Sequence, residues 1–200
     1  MDERIIVAGS GGQGVLTLGV FLARIGVHEG RTVTWLPTYG AEKRGGFSFC
    51  YACVSDSFVY SPVVDTPTAF IAFDNRAYEM YRNKVTEKTL VVENSSLVQG
   101  GRDAGRRVSI PAAEISNGMK FIRGMNILLA GAFIESSGIF RHESAYDVME
   151  EMLKGRNAEI IEKNFIAYGM GVKYVKDRSV LANINEGIKS VKEMFAKWKK

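Results

Sequence analysis

Cysteine is nearly missing from this chain. Among 200 residues only Cys50 and Cys53 are cysteines, and the only histidines are His28 and His142. Two thiolates cannot supply the four ligands of the usual iron–sulfur cluster, so no cluster is expected on this chain. The C-x-x-C spacing invites a zinc or redox reading. Its context opposes that reading. Phe47–Val54 has the composition of a strand, and residues three apart on a strand face opposite ways. A zinc site would need two more ligands, and both histidines are isolated. Buried, reduced thiols are expected.

Long apolar runs are also lacking. No stretch approaches the ~18 residues of a membrane span. The first residues run straight into an apolar strand, Arg4-Ile-Ile-Val-Ala8, and not into a leader. The expectation is a cytoplasmic protein with no membrane partner. Nor is there much excess charge: 26 Lys and Arg stand against 22 Asp and Glu. Much of the surplus sits late, at Lys189, Lys192, Lys197, Lys199 and Lys200, as expected of a solvated helix face. No basic stripe alternates with aromatics, so nucleic acid is not an expected partner. No nucleophile–His–acid set and no metal-ligand grouping stands out. The hydrophobic content, 46%, suits one domain with a substantial core.

The order of apolar runs predicts strands at Ile5–Ala8, Thr32–Leu36 (closed by Pro37), Phe47 to about Ser55, Ala69–Phe73, Thr89–Glu93 and Arg107–Ile110. Phe58-Val-Tyr60 is expected to add a short strand, forming a hairpin with the one before it. Helices are predicted over Gln13–His28, about Arg76–Asn83, Ile122–Glu135 and Ala145–Leu153, and from an Asn157 cap towards Val175. A last helix carries Ile184, Ile188, Val191, Phe195 and Trp198 on one stripe. The fold class is α/β: a single three-layer α/β/α domain with a mixed, mainly parallel sheet and a helical C-terminal part. Residues 1–177 are expected to form the domain and 178–200 an amphipathic helix, docked on that domain or on a partner chain.

Two loops carry the functional signal. Gly9-Ser-Gly-Gly-Gln-Gly14 follows the first strand and opens a helix, fitting G-x-G-x-x-G. Glycines permit a tight turn and close approach, and a helix start offers free N–H groups to an anion. A dinucleotide fold also wants an acid at the end of the second strand. Here that strand ends Trp35-Leu36-Pro37, and the nearest acid is Glu42. Nicotinamide binding is therefore disfavoured. Anion contact, partner contact and a purely structural turn all stay open. The second loop, Thr38-Tyr-Gly-Ala-Glu-Lys-Arg-Gly-Gly-Phe47, sets charges against paired glycines at a strand start. Arg44 offers a planar fork for a carboxylate or phosphate, or an ion pair with Glu42.

Gly11-Gly-Gln-Gly14, Tyr39-Gly40, Glu42, Arg44-Gly-Gly46, Ser55-Asp56 and Ser61-Pro62, together with Asn126 and Ala167-Tyr-Gly169, resemble the γ subunit of 2-oxoacid:ferredoxin oxidoreductases. The resemblance, nearest to the 2-oxoglutarate branch, spans about residues 4–175. Ala41-Glu42-Lys43 departs from the Pro-Glu-Met often found there, which bears on the substrate branch.

The resemblance implies oxidative decarboxylation of a 2-oxoacid, 2-oxoglutarate foremost, with coenzyme A as co-substrate. Thiamine diphosphate and iron–sulfur clusters would sit on partner subunits. The partners implied are α, β and ferredoxin-like chains, with ferredoxin as electron acceptor. The chain would not be active alone. No catalytic or metal-ligating residue is expected on it. The expected cofactor-binding residues are Gly11, Gly12, Gln13, Gly14, Tyr39, Arg44, Gly45, Gly46 and Asn126. Asn126 would either bond a glycine loop or cap its helix. The competing expectations are a stand-alone nucleotide-dependent oxidoreductase and a purely structural assembly subunit.

Overall fold

The computed structural model describes residues 2–39, 46–99 and 104–198. Its frame is a six-stranded sheet made of β1 (Asp2–Ser10), β2 (Thr32–Tyr39), β3 (Phe47–Ser55), β4 (Ala69–Ala72), β5 (Leu90–Asn94) and β6 (Arg106–Ile110). The spatial order is β2-β3-β1-β4-β5-β6. β1, β4, β5 and β6 are parallel neighbours, and β3 runs antiparallel to both β1 and β2. The predicted mixed sheet is present, with β3 as its source. Phe58–Tyr60 is not a strand, and the antiparallel neighbour of β3 in sequence is β2. Nor does Pro37 close β2, which continues to Tyr39 with Pro37 opposite Cys50. β2 is an edge strand, where a residue without an N–H costs no ladder bond if its nitrogen faces outward.

The helices are α1 (Val15–His28), α2 (Asn75–Tyr81), α3 (Ala112–Gly118), α4 (Met125–Ser137), α5 (His142–Met152), α6 (Ala158–Lys176) and α7 (Ile184–Trp198). The sequence reading missed only α3. The predicted Asn157 cap is present: its side chain accepts from the Ile160 N–H at 2.8 Å. The three layers are unequal. One face of the sheet carries the large core, where α1, α4 and α6 pack with Ile5, Val7, Ile71 and Val92. The other face carries a smaller core under α2, built on Ile6, Ala8, Phe70, Tyr78 and Tyr81.

α4 is apolar all round because it is buried all round. It crosses α6 at two glycines. A β-carbon on Gly131 would strike the Tyr168 backbone, and one on Gly171 would strike the Leu128 carbonyl. α7 lays its apolar stripe on this layer: Val191 is buried against Gly169, and the Phe195 ring lies 4.2 Å from that of Phe165. The two cysteines take opposite faces as expected, Cys50 in the large core and Cys53 in the small one. Both are free, and burial pushes the Cys50 thiol up to about 12.

Candidate functional site

The site lies where β1 and β2 leave the sheet. Gly12 and Gly14 both take positive φ, +95° and +84°. L side chains disfavour that region, which explains glycine at both places. Gln13 closes the turn on itself. Its side-chain oxygen accepts from the Ser10 N–H at 2.7 Å, and its own N–H donates to the Ser10 carbonyl at 3.2 Å. The Ser10 hydroxyl donates to Asp74 Oδ2 at 2.6 Å, while Oδ1 of the same carboxylate caps α2 through the Ala77 N–H. Asp74 thereby ties the exits of β1 and β4 together. Sequence reasoning did not single it out.

The two glycine loops meet. The Gly11 N–H donates to the Gly46 carbonyl at 2.7 Å. Tyr39 ends β2 opposite Ser48. Arg44 and Gly45, both expected site residues, lie outside the described residues. Asn126, only 6% exposed, donates from Nδ2 to the Gly14 carbonyl at a long 3.4 Å, and its Oδ1 accepts from the Ile127 N–H. A β-carbon on Gly14 would lie 2.6 Å from that amide nitrogen. Asn126 thus reaches the glycine loop and also takes an N–H in the first turn of its own helix.

These residues head a cleft of about 630 Å³. One wall is Gly12–Gly14, Thr17 and Phe21. The others come from Phe121–Ile127, the end of α5 at Met149–Leu153, and Arg156, Ile160 and Asn164. The cleft is largely apolar with a polar head. α1 opens into it at Gly14 with no side-chain cap and no acid in its first turn. The first N–H groups of α1 therefore keep their hydrogen-bonding capacity and their share of the helix dipole. Arg123 and Arg156 stand exposed at the cleft, and neither makes an ion pair among the described residues. The sequence offered no signal for Thr17, Arg123, Arg156 or Asn164, because chain folding alone brings them to the loop.

The topology bears on the nicotinamide alternative. In a dinucleotide fold the strand that carries the ribose acid neighbours β1. Here β3 lies between β1 and β2, which sets the end of β2 two strand spacings away, about 10 Å. The buried Glu93 and the partly buried Arg107 form an ion pair on the opposite face, completed by Tyr78 and Ser109. Its polar atoms are satisfied by one another, so it holds the β5–β6 edge and offers a ligand nothing. Among the described residues there is no group of three or more His, Cys, Asp or Glu placed to hold a metal ion. No described helix is long and apolar enough to cross a membrane.

Comparison with known proteins follows this geometry. Residues 4–174 match the family described as pyruvate ferredoxin/flavodoxin oxidoreductase. The 2-oxoglutarate synthase subunit KorC of Archaeoglobus fulgidus is 31% identical over 186 residues, covering 90% of this chain and 93% of its own. The ketoisovalerate oxidoreductase subunit VorA of Methanothermobacter marburgensis is 32% identical over 178 residues, covering 88% of this chain but 37% of its own. Among solved structures, the 2-oxoglutarate:ferredoxin oxidoreductase of Magnetococcus marinus, determined with 2-oxoglutarate, coenzyme A and succinyl-CoA bound, superposes with a TM-score of 0.81 at 26% identity. That match covers 88% of this chain and 31% of the other. The chain thus spans a little over a third of the VorA relatives and under a third of the Magnetococcus chain. With a family match over residues 4–174, the chain belongs to the pyruvate ferredoxin/flavodoxin oxidoreductase family.

Proposed function

We propose that this chain is the γ subunit of a CoA-acylating 2-oxoacid:ferredoxin oxidoreductase, with 2-oxoglutarate as the 2-oxoacid, and that its cleft forms the coenzyme A side of the active centre. The reaction converts 2-oxoacid and CoA to acyl-CoA and carbon dioxide and passes two electrons to ferredoxin. Thiamine diphosphate and iron–sulfur clusters on the α, β and ferredoxin-like subunits supply the carbanion and electron-transfer chemistry. The complex works in the cytoplasm.

One observation carries the reading. An uncapped helix start and a glycine junction head an apolar cleft with two exposed arginines. A ligand with a thin apolar arm and anionic groups suits those walls. Gly11, Gly12, Gln13 and Gly14 let its backbone-sized arm approach. Asn126 holds the loop, and Tyr39 and Gly46 belong to the second loop. Arg123 meets the anionic groups, and Arg44 and Gly45, which lie outside the described residues, join the proposed site on the sequence alone.

The test is steady-state kinetics of the assembled enzyme with Arg44→Ala and Arg123→Ala. The expected result is a rise in KM for CoA of about fivefold or more, with KM for the 2-oxoacid unchanged. Unchanged CoA kinetics in intact complexes would remove CoA from this chain and leave a structural assembly subunit.

A second substrate reading has its own support. The ketoisovalerate subunit is 32% identical over 178 residues and the 2-oxoglutarate subunit 31% over 186. Ala41-Glu42-Lys43 also departs from the usual loop. A branched-chain 2-oxoacid is the alternative, and a substrate panel decides between them.

A further inference from the structure

Asn94, the last residue of β5, is fully buried, and it does not line the cleft. A buried side-chain amide has two N–H donors and two acceptor positions to satisfy. Here all four are taken. Nδ2 donates to the Phe73 carbonyl at 3.2 Å and to Met125 Sδ at 3.4 Å. Oδ1 accepts from the Ser96 N–H and from the Ala113 N–H, each at 3.3 Å. One side chain thus joins four segments: the exit of β4, the turn after β5, the first turn of α3 and the first residue of α4.

Two of these segments lead to the glycine loop. Phe73 is followed by Asp74, whose carboxylate accepts from the Ser10 hydroxyl. The Phe73 N–H also donates to the Ala8 carbonyl, and a β-carbon on Gly9 would strike the Phe73 side chain. Met125 is followed by Asn126, whose amide reaches the Gly14 carbonyl. These connections close a ring that runs from Asn94 through Phe73 and Asp74 to Ser10, along the loop to Gly14, and back through Asn126 and Met125. β1, β4 and β5 are parallel neighbours, so the ring lies across the strand ends at which ligands of α/β sheets bind.

We propose that Asn94 is a positioning residue for the glycine loop. It fixes both Phe73 and the start of α4, and so holds Ser10 and Gly14, the two ends of the loop, at one spacing. The first N–H groups of α1 then keep a fixed aim into the cleft. A fully satisfied buried network of this kind is rigid, and losing one donor leaves its partners unpaired. The hold on the loop stands on the hydrogen bonds alone, while its consequence for coenzyme A rests on the function proposed above. That consequence falls on affinity and not on turnover, because a loosened loop must be ordered at each binding event.

The test is Asn94→Asp in the whole chain, free and in the assembled enzyme. This variant keeps the acceptor for Ser96 and Ala113 and loses the amide donor. An ionised carboxylate repels the Phe73 carbonyl, whereas a protonated carboxyl donates to it, and burial favours the protonated form. Hydrogen exchange of the Gly11 and Gln13 amides, which bond the Gly46 and Ser10 carbonyls, is compared with the unaltered chain at the same pH. The expected result is exchange about tenfold faster at about pH 8.5 and restored at about pH 5. Val191→Ala, which opens a cavity under α7, is expected to lower the melting temperature and leave these two amides unchanged. In the assembled enzyme at about pH 8.5, KM for CoA is expected to rise about threefold or more, with kcat and KM for the 2-oxoacid unchanged. Unchanged loop exchange at both pH values overturns the proposal. Exchange raised equally at both values also overturns it, because the donor to Phe73 would not be what holds the loop. A loosened loop with unchanged KM for CoA upholds the positioning role and overturns the coenzyme A reading. Should Asn94→Asp fail to fold, Met125→Leu removes only the sulfur acceptor at nearly constant volume. It is expected to speed the same amides about threefold, and unchanged exchange there overturns the proposal.

Discussion

Gly14 carries the heaviest constraint of any single residue at the site. It sits at positive φ and touches Asn126, whereas Gly12, also at positive φ, faces open space. Gly14→Ala is therefore expected to destabilise the fold by about 1–3 kcal/mol through backbone strain, with the Asn126 clash in addition. Gly12→Ala is expected to carry the backbone strain of about 1–3 kcal/mol without the clash. Urea midpoints of the two variants measure the difference. Equal midpoints would mean that the Asn126 contact is not made.

Cys50 gives the second prediction. Its thiol is raised from 9.0 to about 12 by burial. The unfolded chain releases that proton near pH 9, and the folded chain holds it to about 12. Its contribution to stability is full below pH 9 and falls as pH rises towards 12, by up to about 1.4 kcal/mol per pH unit. Melting temperatures taken from pH 8 to 11 should fall, and Cys50→Ala should flatten the slope. Neither cysteine should react with iodoacetamide in the folded chain at pH 8. The strand reading of Phe47–Val54 made this burial legible beforehand, because a period of two sends residues three apart to opposite faces.

The secondary-structure elements show why some features were legible and others were not. α4 and α7 were readable because their apolar patterns, all-round and one-sided, each have a single sense in a packed domain. The insertion of β3 between β1 and β2 was not readable. Strand composition reports burial, and neighbours are chosen by tertiary packing. Pro37 misled for a related reason: it stops a central strand, but β2 lies at the edge. α3 is seven residues long, too short for its periodicity to emerge. At the site, the glycines announced themselves, while Arg123, Arg156 and Asp74 depended on which loops folding would bring together.

The crossing of α4 and α6 yields a prediction at this scale. Gly131 and Gly171 each lie against backbone of the facing helix, which cannot yield as a side chain can. Gly171→Ala is expected to cost about 3 kcal/mol or more. Removal of residues 178–200 would uncover Gly169 and the Phe165 ring on α6. A clear drop in melting temperature is the expected result, and an unchanged one would make α7 dispensable to the domain.

The molecule as a whole is asymmetric. One face of the sheet holds almost all the helices and the cleft. The other holds a short helix over a smaller core. The glycine junction lies between them, at the end of the sheet where both loops emerge. The chain presents polar N–H groups and arginines at the cleft, and among its described residues no group of three or more His, Cys, Asp or Glu is placed to hold a metal ion. The most direct measurement is an anaerobic reconstitution of this chain with its sister subunits, assayed for CoA-dependent reduction of a viologen dye by 2-oxoglutarate, pyruvate and 2-oxoisovalerate. The account predicts no turnover by the chain alone and CoA-dependent turnover by the complex, fastest with 2-oxoglutarate. Turnover by the isolated chain, or a complex equally active without this chain, would contradict it.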